Sequence, residues 1–170
     1  LGRCESTSLT LRNCSWGRGS TLIDERSTDN QRIGGLAAEV MGGCTVTVEN
    51  CILSGSITSN AASNARVGGL IAVSRGETQS GSGNSYTSAV STINISNLTV
   101  NGKAITAKAT STSGGLLGYQ WKNTNVVFAK SSSNTANASG VTISGATLNT
   151  TAQFGGLVYQ ATGYWKATAK

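Results

Sequence analysis

Four copies of the tripeptide Gly-Gly-Leu, beginning at Gly34, Gly68, Gly114 and Gly155, lie 34, 46 and 41 residues apart. A landmark that recurs at uneven spacing implies constant strands joined by variable loops, and a period of this size marks stacked repeats. A second pattern fills the intervals. It reads Cys44-Thr-Val-Thr-Val-Glu-Asn-Cys-Ile-Leu-Ser-Gly55 after the first landmark and Ser91-Thr-Ile-Asn-Ile-Ser-Asn-Leu-Thr-Val-Asn-Gly102 after the second. Ser8 to Trp16 fits the same template, and residues 125–128 and 141–145 fit its two halves around an insertion. Aligned, the copies put Leu9, Val46 and Ile93 in one column and Leu11, Val48 and Ile95 in the next. Asn13, Asn50 and Asn97 share another column, followed by Cys14, Cys51 and Leu98. Apolar and polar residues alternate within each run, the period of a strand with one buried face. Each unit therefore reads as a strand, a short turn at Asn, a strand, a longer loop, and a strand at Gly-Gly-Leu.

One such unit cannot bury its apolar face alone, whereas stacked units share a continuous interior. The expected fold is all-β, a right-handed parallel β-helix of about four coils over residues 1–170, as part of a longer chain. Like strands would pair about 4.8 Å apart. Asn tolerates the left-handed backbone of a sharp turn, and stacked amides can hydrogen-bond along the axis, so Asn13, Asn50 and Asn97 are candidate ladder residues. Two small-residue polar stretches, about 75–90 and 130–140, interrupt the period and read as surface loops. Open solenoid ends expose strand edges, so neighbouring coils or identical chains are the expected partners.

Composition agrees with many short strands and tight turns. The chain holds 23 Ser, 22 Thr, 14 Asn and 22 Gly, with only 12% charged residues. Thr and Val favour strands, while Gly, Asn and Ser favour turns. All seven acids lie in residues 1–77 with seven Arg, and residues 78–170 carry six Lys and no acid. The six Lys could attract acidic glycans, or could simply keep strand edges soluble and unpaired. No nucleic-acid partner is expected. No run approaches the roughly 18 apolar residues of a membrane helix, so direct membrane insertion is not expected either.

The four cysteines fall in the first third of the chain. Cys14 and Cys51 share a column in adjacent units, and Cys4 and Cys44 lie near the starts of matching strands, so these are the disulfide candidates. The alternative is four buried thiols packed as small apolar side chains. Two disulfides would place the protein outside the cytosol.

At the Gly-Gly-Leu starts and the Asn-Cys turns, with Ser113-Gly-Gly-Leu-Leu-Gly118 the nearest match, the chain resembles the GLUG-type repeats of large surface proteins. The closing Gly of that start is replaced by Ala38, Ala72 and Tyr159 in the other copies. The resemblance implies display at the cell surface or secretion, adhesive or structural roles, and no catalytic residues.

The residues themselves also argue against catalysis. Glycoside hydrolysis needs two facing carboxylates, and the last acid is Glu77. Asp24, Glu25 and Asp29 form the densest acidic group, in a polar stretch that reads as a solvated loop and supplies few calcium ligands. There is no His to activate a Ser or Cys, or to complete a zinc site, so no cofactor or metal is expected. The leading expectation is a non-catalytic extracellular scaffold or adhesin segment. The second is a glycan-binding module using Tyr119, Trp121 and Trp165 with Lys122 and Lys166, although these aromatics could equally fill the interior. Five Asn-x-Ser/Thr sites occur, at Asn13, Asn94, Asn97, Asn137 and Asn149. A glycan would not fit in the ladder, which leaves Asn137, Asn149 and Asn94 as glycosylation candidates, with Asn137 in an insertion the best of them.

Overall fold

The computed structural model describes residues 1–81, 85–101, 104–107, 112–121, 123–128, 141–144, 147–150, 153–155, 158–161 and 165–169. The insertion at 130–140, with Asn137, and Lys122 lie outside the described residues. The described structure is all-β and contains no helix.

The chain makes successive passes. The first holds β1 (Arg3–Cys4), β2 (Ser8–Arg12), β3 (Ser15–Trp16), β4 (Thr21–Asp24) and β5 (Arg32–Gly34). The second holds β6 (Ala37–Val40), β7 (Thr45–Leu53), β8 (Ser56–Ser59) and β9 (Arg66–Gly68). In the third are β10 (Ile71–Ser74), β11 (Glu77–Ser80), β12 (Ser85–Ser88), β13 (Ser91–Asn101), β14 (Ala104–Ala107) and β15 (Thr112–Gly114). The fourth has β16 (Leu117–Gln120), β17 (Thr124–Phe128), β18 (Val141–Ser144), β19 (Thr147–Thr150) and β20 (Gln153–Gly155), and β21 (Val158–Ala161) and β22 (Trp165–Ala169) follow.

Strands of successive passes pair in four parallel sheets. The first sheet runs β1-β6-β10-β16-β21 and the second β2-β7-β13-β17-β22, with β3 and β18 attached. The third runs β4-β8-β14-β19 and the fourth β5-β9-β15-β20. Register follows the apolar pattern: Leu9 pairs with Val46, Val46 with Ile93, and Ile93 with Val126. A slip of one residue would turn this whole file outward, so the alternation holds the register.

Val46, Val48, Cys51 and Leu53 point inward on β7, with two residues rather than one between the middle pair. Asn50 lies between them with a φ of 51°, and Asn13 and Asn97 match it at 53° and 50°. The left-handed residue resets the phase, so the wall turns while both halves keep facing the core. Asn30 and Asn64 make a second pair of left-handed corners just ahead of the fourth sheet.

Each unit forms four wall strands where the sequence pattern suggests three: the two runs flanking Asn make one strand in β7 and β13, the expected long loop holds a strand of its own in β8 and β14, and the Gly-Gly-Leu landmark is a corner between two more. The first Gly of the landmark explains why. A Cβ on Gly34, Gly68 or Gly114 would collide with the carbonyl oxygen of Ala37, Ile71 or Leu117 respectively. Pairing continues around the corner, since Leu36 N–H donates to Leu70 O at 2.8 Å and Leu70 N–H to Leu116 O at 2.7 Å.

The core has a large apolar cluster behind the first two sheets, including Val46, Val48, Leu70, Ile71, Ile93, Ile95 and Leu117. A smaller one behind the other two holds Ile33, Ile57, Val67 and Ile105. A polar group interrupts it: the buried hydroxyls of Ser74, Ser91 and Thr124 bond mutually at 3.0 to 3.2 Å. Each thereby meets the requirement for a partner that burial imposes.

The stretch at 75–90 differs from an open loop. Its β11 and β12 form an antiparallel hairpin, with Gln79 opposite Tyr86. The hairpin reaches across passes: Gln79 N–H donates to Glu5 Oε1 at 3.3 Å, and Asn123 donates to Ser88 Oγ. Ser and Gly set its composition, but the Thr-Gln and Tyr-Thr pairs supply strand-compatible residues that composition alone conceals.

Candidate functional site

The three Asn residues of the second sheet make a continuous row. Asn97 Nδ2 donates to Asn50 Oδ1 at 2.9 Å, and Asn50 Nδ2 donates to Asn13 Oδ1 at 3.3 Å. Cys14 and Cys51 directly follow Asn13 and Asn50 of this row, while Cys4 lies on β1 and Cys44 just ahead of β7. All four are free thiols, with Cys4 Sγ and Cys44 Sγ 2.8 Å apart and buried. Ser15 pairs with Ile52, which sets Cys14 opposite Cys51. Burial pushes the Cys4 thiol up to about 12, helped by its bond to Cys44 and the charge a second thiolate would carry. Cys51 is also pushed up, mainly by burial, although hydrogen bonds from its surroundings pull the other way.

A charged and aromatic cluster covers the corner between the fourth and first sheets. Arg32 pairs in register with Arg66, and Glu39 with Val73, which in turn pairs with Tyr119. The buried Glu39 carboxylate is held from two sides, by Arg32 Nη1 and Arg75 Nε, each at 2.9 Å. Arg75 also lies 3.8 Å from Glu77 and faces two rings, Tyr86 at 5.7 Å and Trp121 at 5.6 Å. Trp121 meets Tyr119 with centroids 5.4 Å apart and planes tilted by 42°. Arg66 stacks over the other ring, its Cζ 4.9 Å from the Tyr119 centroid. Burial pulls the Arg66 pKa down, and the neighbouring Arg32 and Arg75 charges add to that, against the opposing pull of Tyr119 and Glu39.

Of the glycan-contact candidates, Tyr119 and Trp121 are thus brought together, with Arg66 and Arg75 against their rings. Trp165 and Lys166 sit on β22 of the second sheet, in register with Thr124 and Asn125. Among the glycosylation candidates, half-buried Asn94 lies within β13, between Thr47 and Val127, and Asn149 lies on β19 opposite Thr106. The arginine cluster was missed from sequence, yet its signal was present. Asn30-Gln-Arg-Ile-Gly-Gly and Asn64-Ala-Arg-Val-Gly-Gly repeat the same left-handed Asn and the same Arg ahead of the landmark.

Elsewhere a cleft of about 560 Å³ opens between Ser15, Arg18, Ser20, Ile52, Ser54 and Ser56. Its hydroxyls lack a carboxylate or second titratable group, so nothing there activates a nucleophile. Among the described residues no three His, Cys, Asp or Glu side chains converge to hold a metal ion. Compared with known proteins, the chain matches no family model, no curated protein and no solved structure.

Proposed function

We propose that the chain is a segment of a right-handed parallel β-helix that serves outside the cell as a non-catalytic structural scaffold or adhesin. The reading rests above all on the file Leu9, Val46, Ile93 and Val126, in which like strands of successive passes lie one on another. Parallel crossovers wind right-handed in nearly all folds, which gives the hand. A stack of this kind acts through stiffness and through lateral or end-on contacts with identical chains. The Gly-Gly-Leu resemblance to GLUG-type repeats supports the extracellular setting.

In that oxidising setting the Cys4–Cys44 and Cys14–Cys51 pairs close as disulfides. Each pair gives up two protons and two electrons to a disulfide-bearing thiol oxidase or oxidised glutathione. Protein isolated from its source should then be about 4 Da lighter before reduction than after it, the mass of the lost hydrogens. Equal masses would remove the cross-links from the reading.

Antibody to the chain should label intact, unpermeabilised source cells, and deleting the protein should weaken their attachment or cohesion. Labelling that appears only after permeabilisation, with attachment unchanged, would sink the proposal.

A further inference from the structure

We infer that the lateral cleft beside Arg18 binds a sulfate or phosphate monoester carried on a ring-sized molecule, with Arg18 as its cation. The cleft exists because two adjoining passes differ in length at one point. Trp16 pairs with Leu53 and Thr21 with Ser56, so residues 17–20 of the first pass lie beside only residues 54 and 55 of the second. A β-turn takes up the surplus: Ser20 N–H donates to Gly17 O at 3.1 Å, and Gly19 supplies the left-handed backbone at a φ of 69°. Gly17 packs directly on Ser54, whose carbonyl a Cβ there would strike, so the turn is seated on the second pass. Arg18 occupies the second position of this turn and lines the cleft with Ile52, Ser54 and Ser56.

Charge and donor count set the kind of ligand. All seven acids of the chain lie at described positions, and Arg3, Arg12, Arg26, Arg32 and Arg75 pair with members of that set. Arg66 lies on the face of Tyr119. Arg18 meets neither a side-chain carboxylate nor a ring among the described residues, and no other charged residue lines the cleft. Around it stand the hydroxyls of Ser15, Ser20, Thr21, Ser54 and Ser56, none with a side-chain hydrogen bond among the described residues. One guanidinium fork already satisfies a carboxylate with two N–H bonds, which would leave these hydroxyls idle. A monoester presents three terminal oxygens arranged as a tetrahedron, and so takes up hydroxyls on several sides as well as the fork. A bare ion would fill little of the roughly 560 Å³, a volume in the range of small-molecule sites. Ile52, 45% exposed, offers the carbon skeleton of an ester an aliphatic wall. A nucleic acid strand repeats its phosphates, whereas the cleft provides one cation.

The test is a titration of the whole, isotope-labelled chain with glucose-6-sulfate and with glucose-6-phosphate, followed by amide shifts in NMR spectra. Glucuronate, glucose and inorganic sulfate serve as the carboxylate, neutral and bare-ion controls. Saturable shifts are expected at Arg18, Ser20, Ile52 and Ser54 with at least one monoester, and the tighter of the two names the source of the oxyanion. Binding should be weaker by about tenfold or more for each control and for Arg18→Gln, the usual scale of one lost charge-assisted contact. Arg18→Lys should fall between Arg18→Gln and the unaltered chain, because it keeps the charge and loses the fork. Circular dichroism and melting establish that each variant is folded. Should Arg18→Gln not fold, the controls and Arg18→Lys decide the matter. Absence of saturable shifts with both monoesters, shifts confined to residues outside the cleft, equal affinity for any of the controls, or an unchanged Arg18→Gln would each overturn the inference. None of these outcomes touches the scaffold reading, which does not invoke Arg18.

Discussion

A left-handed residue in the middle of a strand is tolerated where its side chain gains something in return. Asn50 bends β7 at a φ of 51° and bonds to the equivalent amides on both sides. Asn50→Ala should therefore lose both bonds and add left-handed strain, a fall of about 2–4 kcal/mol. Asn50→Gly keeps the backbone free and should lose only about 1–2 kcal/mol. Urea unfolding of the two variants measures the difference, and equal losses would refute the backbone part of the argument. The thiols give a second test at this scale. The Cys4 thiol is raised from its usual 9 to about 12. Below pH 9 it is protonated in the folded and unfolded chain alike, and its stabilising effect is fully present. Between pH 9 and 12 the unfolded chain releases its proton first, so stability of the reduced protein falls as pH rises, by at most about 1.4 kcal/mol per pH unit for this group. Urea midpoints in reductant from pH 8 to 10.5 should show the fall. Cys4→Ala should lessen it and leave the part due to Cys51, whose thiol is also raised by burial.

At the scale of elements, the corners matter as much as the strands. Gly68 and Gly114 have no room for a side chain, each facing the carbonyl of the residue three further on. Gly68→Ala should destabilise the protein by more than about 3 kcal/mol, because backbone has to move. Gly2→Ala meets no atom within 4 Å and should stay within about 0.5 kcal/mol of the unaltered chain. Thermal melts of the pair decide the point. The strand columns were readable from sequence because alternation at Val46, Val48, Ile93 and Ile95 has a period that only one face satisfies. The Asn column was readable for the same reason, since three copies hold their place in the template. The landmark was misread as a strand because a tight Gly-Gly corner and a strand with a Gly pair look alike without coordinates. Arg32, Arg66, Arg75 and Glu39 escaped notice because an outward ion-pair cluster has no periodicity of its own, and its members meet only after the walls have stacked. The hairpin at β11 and β12 was hidden by its Ser-Gly composition.

For the whole molecule, pass-on-pass construction makes length adjustable. Gly34 and Gly68 are equivalent, so removing residues 35–68 joins Gly34 to Gly69 and should delete one pass while leaving the walls in register. Such a chain should keep its strand spectrum and a cooperative melt at somewhat lower stability, as nearest-neighbour stacking predicts. Removing residues 35–50 cuts through β7 and puts unlike strands on top of one another, and that chain should not fold. If both deletions behaved alike by circular dichroism and melting, interchangeable passes would be excluded.

Each amide in the row of Asn13, Asn50 and Asn97 donates toward the pass before it. A line of dipoles that all point one way has a direction, with an N–H side and a carbonyl side. Chains placed head to tail would prolong that line, while chains placed head to head would bring like groups into opposition. A fibre grown along this axis would therefore be polar, with two tips of different chemistry.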